Sequence, residues 1–132
     1  MKISQILYYL FYTKIATYLP KTRNGSDGFF EKIRAKSVKG FIDNCGSKIN
    51  VQRRAIVAKR ISIGNYSGIG ERCVIQGNVV IGSHVMMGPE VLIYTQNHNF
   101  SRVDITMDKQ GFTEEKQVII EDDVWIGARL II

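Results

Sequence analysis

The chain has 132 residues, 45% apolar and 23% charged, which indicates one globular domain and excludes a disordered or collagen-like chain. Two cysteines cannot build the disulfide framework of a small secreted protein, so a reducing, cytoplasmic setting is expected. The net charge of +6 is unevenly spread: residues 1–60 carry thirteen Lys/Arg against Asp27, Glu31 and Asp43, and residues 61–132 carry five against nine acids. The basic residues are scattered, without a helix-turn-helix, zinc-finger or RNP pattern, so nucleic acid is not an expected partner. No apolar run is long enough to span a bilayer.

In residues 1–20, Ile3, Ile6, Leu7, Leu10, Phe11, Ile15, Tyr18 and Leu19 recur at three- and four-residue spacing. This predicts a helix with a broad apolar face, stopped by Pro20. Five of the aromatics lie here: Tyr8, Tyr9, Phe11, Tyr12 and Tyr18. Two uses of the face stay open: packing on a neighbouring subunit, or peripheral contact with a membrane surface. Residues 21–44 read as a basic connector with a short helix through Phe29–Val38, and no chemistry is visible in them.

From Cys45 onward a period of six takes over. Ile63, Ile69, Ile75, Ile81, Met87 and Ile93 are six apart, and Val57, Val51 and Cys45 extend the phase backwards. Four places after each of them except Ile93 stands a second modest residue: Ile49, Ala55, Ile61, Ser67, Cys73, Val79, Val85 and Val91. Gly64, Gly70, Gly82 and Gly88 follow four of the large residues. Six suits neither a helix nor a long strand, and it predicts a parallel β-helix whose two aliphatic positions point inward. The glycines are expected to relieve the backbone at the corners. Three hexads would make one coil, with coils stacked about 4.8 Å apart. Cys45 and Cys73 fall on inward positions and read as small buried apolar residues.

The period breaks after His98 and resumes at Ile120, Ile126 and Ile132, with Val124 and Leu130 as companions. The interval from Ile93 to Ile120 is not a multiple of six, so a loop must leave the coils near residue 98 and return near residue 118. Long loops in compact repeats are commonly functional. His98 stands at its exit and is the candidate general base, histidine being the side chain suited to proton transfer at neutral pH. His84 sits on a corner. Two histidines cannot supply a three-histidine zinc set, so no metal is expected.

Asn97-His98-Asn99-Phe100, Asp104-Ile105-Thr106-Met107, Gln110-Gly111-Phe112 and Val118 through Ala128, with Trp125-Ile126-Gly127, resemble the hexapeptide-repeat acyltransferases. Within them the chain is most similar to sugar O-acetyltransferases of capsule, lipopolysaccharide and exopolysaccharide clusters. Leu19-Pro20 and Cys45-Gly46 match their opening layout.

The resemblance implies an all-β solenoid, a left-handed parallel β-helix (residues 45–132, loop about 98–118) behind an N-terminal helix and basic connector (residues 1–44). It implies a homotrimer with the active site between subunits. Acetyl-CoA would be the donor, a saccharide hydroxyl the acceptor, and surface polysaccharide biosynthesis the setting. The cysteine usage and the aromatic, basic N-terminus put the expected location in the cytoplasm or at the inner membrane surface. Trp125, Gly127 and Ala128 would hold the coenzyme, and Asn97, Asp104 and Phe112 the acceptor. Relatives continue beyond the hexad that opens at Ile132, so the coils are expected to be incomplete at the C-terminus. Two alternatives stay open: a non-catalytic β-helix fragment, and an acetyltransferase for a small acceptor such as serine.

Overall fold

A computed structural model describes residues 2–22 and 28–132; residues 23–27 of the basic connector lie outside the described residues. The solenoid is a left-handed parallel β-helix of short strands: β1 (Asn44–Cys45), β2 (Asn50–Val51), β3 (Ile56–Val57), β4 (Ile61–Ile63), β5 (Gly68–Ile69), β6 (Val74–Ile75), β7 (Val79–Ile81), β8 (Met86–Met87), β9 (Leu92–Ile93), β10 (Val118–Ile120) and β11 (Trp125–Ile126). All strand pairs are parallel. The first face stacks β1-β4-β7-β10, the second carries β2-β5 and β8-β11, and the third stacks β3-β6-β9. Asn44 pairs with Ser62, and Ser62 with Val80, so one coil is made of three hexads, as expected. Val118 pairs with Val79, in the place that an uninterrupted coil would give to Asn97, so the loop is inserted without shifting the phase.

Both inward positions fill the prism. Ile63, Ile69, Ile75, Ile81, Val85, Val91 and Ile93 are all buried, as are Ala55, Ser67 and Cys73. Cys45 is half-buried and Cys73 fully so, and both are free thiols. Burial pushes both thiols above their ordinary range. Ser67, the polar inward residue, is satisfied: its hydroxyl donates to the Gly82 carbonyl (2.6 Å) and accepts from the Val85 N–H (3.0 Å).

The corner glycines serve a different purpose from the one expected. None of Gly64, Gly70, Gly82 and Gly88 has a positive φ. The left-handed corner positions are held by Lys48, Arg54, Tyr66, Arg72, Asn78, His84, Glu90, Asp123 and Arg129, with φ between 52° and 65°. Glycine is needed because successive coils touch backbone to backbone. A Cβ on Gly70 would stand 2.0 Å from the Gly88 carbonyl oxygen, and one on Gly64 would stand 2.6 Å from Gly82. The third corner departs from this rule, with Ala58, Gln76 and Tyr94 in the equivalent place.

The N-terminal segment closes the first coil. Helix α1 (Ile3–Lys14) ends earlier than expected: Ile15 leaves helical geometry, and a 3-10 turn (Ala16–Tyr18) leads to Pro20. Helix α2 (Phe29–Lys39) confirms the expected short helix, but it is a packed lid rather than only a connector. Its Arg34 is wholly buried and donates to the carbonyls of Val51 (2.8 Å), Leu19 (2.9 Å) and Pro20 (3.3 Å), and to Glu31 (2.7 Å). Those carbonyls belong to the open edge of the first coil and its approach, where no strand supplies an N–H. Burial pushes the Glu31 carboxyl up, but Thr22, whose hydroxyl and backbone N–H both donate to it, and Arg34 outweigh that and hold it below its ordinary range.

The apolar face of α1 does not point into this core. Tyr12 is the buried residue of the helix: its ring packs against Phe41 and its hydroxyl donates to the Ala55 carbonyl at 2.7 Å. Desolvation raises its pKa. Ile3, Ile6, Leu7, Leu10 and Phe11 are exposed.

Candidate active site

The excursion is a folded hairpin rather than a slack loop. After β9, residues 95–99 run antiparallel to residues 111–116. The Lys116 N–H bonds the Thr95 carbonyl (2.8 Å), Thr113 N–H bonds Asn97 (2.8 Å), and Asn99 N–H bonds Gly111 (3.0 Å). His98 bridges Phe112 across this ladder. Gly111 takes a φ of 73°, which lets the chain reverse.

Side chains anchor both ends of the hairpin. Buried Thr95 donates its hydroxyl to the Gly77 carbonyl (2.9 Å) and its N–H to the Gln76 side chain (3.2 Å). Glu115 forms an ion pair with Arg60, which lowers the Glu115 pKa. At the far end, Gln110 accepts from the Arg102 N–H (3.0 Å) and donates to the Arg102 carbonyl (2.8 Å). The Asn99 carboxamide donates to Phe112 (2.9 Å) and Gln110 (3.1 Å).

A groove of about 750 Å³ lies between this hairpin and the third corner of the coils. Asn97, His98 and Phe112 line it, so three of the candidate residues come together. The His98 ring is exposed and leans on Phe112, with ring centroids 4.4 Å apart and planes at 34°. Aromatic packing on one side fixes the imidazole's orientation while its edge stays open to solvent. The Asn97 side-chain oxygen accepts the His98 backbone N–H at 3.0 Å, which steadies the same turn.

Asp104 is not in the groove. It lies at the hairpin tip in an exposed ion pair with Arg102, which lowers its pKa. Trp125, Gly127 and Ala128 are also absent from the groove lining. Trp125 projects from the second face, beside Met86, and is 77% exposed. Within one chain, the proposed base and the proposed coenzyme residues therefore lie on different faces.

The groove also contains residues that sequence reasoning did not single out: Gln76, Tyr94, Lys116, Ile131 and Ile132. A signal existed for two of them. Gln76 and Tyr94 occupy the hexad place that glycine holds in most coils at the other two corners, Gln52 and Glu121 being the exceptions. With no glycine contact to preserve, this corner can carry side chains, and they form the groove wall.

Ile131 belongs to two features. It lines the groove, and it ends an outward column on the third face, with Ile56, Val74 and Leu92 in register. Ile56 is 62% exposed and Ile131 68%. The corresponding outward column of the first face begins Asn44, Ser62. The third-face column therefore carries no polar residue, unlike that of the first face.

Among the described residues, no three His, Cys, Asp or Glu side chains group as metal ligands. No family model matches the chain. A curated relative, the galactoside O-acetyltransferase of Lactococcus lactis subsp. lactis (strain IL1403), is 36% identical over 69 residues, covering 52% of this chain and 32% of that protein. The chain therefore spans about a third of the length of that relative. The chain thus combines a left-handed parallel β-helix with a partial likeness to an O-acetyltransferase.

Proposed function

We propose that the protein is an O-acetyltransferase that moves an acetyl group from acetyl-CoA to a hydroxyl of a saccharide. The observation that carries this reading is the exposed His98 imidazole, held against Phe112 in a groove where a folded hairpin leaves the β-helix. A sugar hydroxyl is a weak nucleophile near neutral pH and needs a base within hydrogen-bond reach. His98 takes the hydroxyl proton as the oxygen attacks the thioester carbonyl. The tetrahedral intermediate then expels the thiolate, which takes up that proton and leaves as free coenzyme A. The polar residues Asn97 and Gln76 suit a polyhydroxylated acceptor, and Phe112 and Tyr94 offer rings for the apolar face of a sugar.

The site is completed between subunits of a homotrimer. The aliphatic column of the third face supports this, because a neighbour packed on it would reach Ile131 and so the rim of the groove. Such a neighbour could bring its own Trp125, Gly127 and Ala128 toward His98, which their separation within one chain requires. A role in polysaccharide biosynthesis in the cytoplasm follows from the same reading.

The test is acetyl transfer from labelled acetyl-CoA to galactosides and other saccharides. We expect transfer by the unaltered protein and a fall in kcat of about 10²–10⁴ for His98→Ala, with unchanged thermal stability. No transfer to any saccharide would defeat the functional reading. Full turnover in His98→Ala would defeat the assigned base.

A further inference from the structure

We infer that α1 is a membrane-surface helix, seating its exposed face on an anionic lipid bilayer. At 3.6 residues per turn, Ile3, Ile6, Leu7, Leu10 and Phe11 fall within an arc of roughly 140°. Its centre lies opposite Tyr12, the residue that holds the helix to the core. All five are exposed, so the face is presented outward by the same contact that anchors the helix. Tyr8 and Tyr9 stand between this face and Tyr12, each with part of its ring exposed although Tyr9 packs edge-on against Phe41, and Tyr18 is exposed in the following turn; such amphipathic rings suit the headgroup level.

Charge selects the occupant. Residues 1–26 contain no acid. Among the described residues up to Ile42, the acid is Glu31, which is 1% exposed and tied to Arg34 and Thr22. Lys2 and Lys14 stand at the two ends of α1. Lys32, Lys36 and Lys39 form an exposed stripe on α2, which packs on α1. A second copy meeting this face with its own would bring lysines against lysines. An anionic bilayer receives both the aliphatic side chains and the cations, and Lys14 can extend its ammonium to the headgroups. No described helix is long and apolar enough to cross a membrane, so the contact is interfacial.

The experiment is co-sedimentation with phosphatidylcholine vesicles, with and without phosphatidylglycerol, alongside light scattering of the free protein. We expect at least about tenfold tighter binding to the anionic vesicles, weakened by salt. Leu7→Gln/Leu10→Gln changes exposed residues and should leave the melting curve intact while lowering binding at least tenfold. Lys32→Gln/Lys36→Gln should lower binding to the anionic vesicles alone. Equal binding to both vesicle types, no binding, or undiminished binding by Leu7→Gln/Leu10→Gln would overturn the inference. So would a smaller oligomer for that variant, which would assign the face to a second copy. None of these outcomes bears on acetyl transfer.

Discussion

Replacing Arg34 by methionine removes the positive member of a buried ion pair whose side chains are 0% and 2% exposed. Glu31 keeps the Thr22 hydroxyl at 2.6 Å and the Thr22 N–H at 3.2 Å, but it loses its only charged partner among the described contacts. Breaking a buried pair by removing one member costs about 3–5 kcal/mol. The Val51 carbonyl also loses its 2.8 Å donor, and an orphaned buried acceptor adds about 1–3 kcal/mol unless water reaches it. Arg34→Met should therefore lower unfolding free energy by at least about 4 kcal/mol, measured by urea denaturation followed by circular dichroism. Glu31→Leu added to Arg34→Met removes the stranded carboxylate, so the double variant should be more stable than Arg34→Met by about 2 kcal/mol. The pH dependence has a definite sign. The folded state holds Glu31 below its ordinary value of 4.5, so the pair's contribution is complete above that pH and is lost as pH falls through the lower, folded value. The gap between the unaltered protein and Glu31→Gln should narrow in that acid window. A loss below about 1 kcal/mol for Arg34→Met, or a double variant weaker than the single, would refute the idea that α2 closes the first coil through this pair.

Two further outcomes follow from the coil stacking and the N-terminal anchor. Gly70→Ala places a Cβ 2.0 Å from the Gly88 oxygen and should destabilise by at least about 2 kcal/mol, whereas Gly68→Ala, whose Cβ meets Asn50 at 3.8 Å, should be neutral or slightly stabilising in the same thermal melts. Equal melting temperatures for the two would contradict the close-approach account of the corner glycines. Tyr12→Phe removes the hydroxyl donated to Ala55 at 2.7 Å and leaves the ring in place, so denaturant titration should register a loss of about 1 kcal/mol, and no loss would mean that the ring alone anchors α1.

Much of the architecture is written in the residue order, because a β-helix repeats one small problem. Each hexad must supply an inward aliphatic residue and a modest companion, so Ile63 through Ile93 declare the coil from period alone. The break in that period located the hairpin and put His98 at its exit. The reason for the glycines was not legible from one hexad, since the atom that excludes a side chain at Gly70 lies a full coil further on, in Gly88. Periodicity also marked the apolar stripe of α1, which the fold leaves exposed, but not how the helix is held: Tyr12, on the opposite side, meets the core through its ring and hydroxyl.

The amino-acid order by itself determined the solenoid, its phase and the place where it opens, since these depend on local spacing. Tertiary structure decided which side chains share the groove. Gln76 and Tyr94 share a groove with His98 because each coil stacks on the one before it and the hairpin folds back on itself, while Asp104 and Trp125 are carried elsewhere by the hairpin's length and by the face on which each strand falls. Those are distances through space, and no periodicity along the chain encodes them.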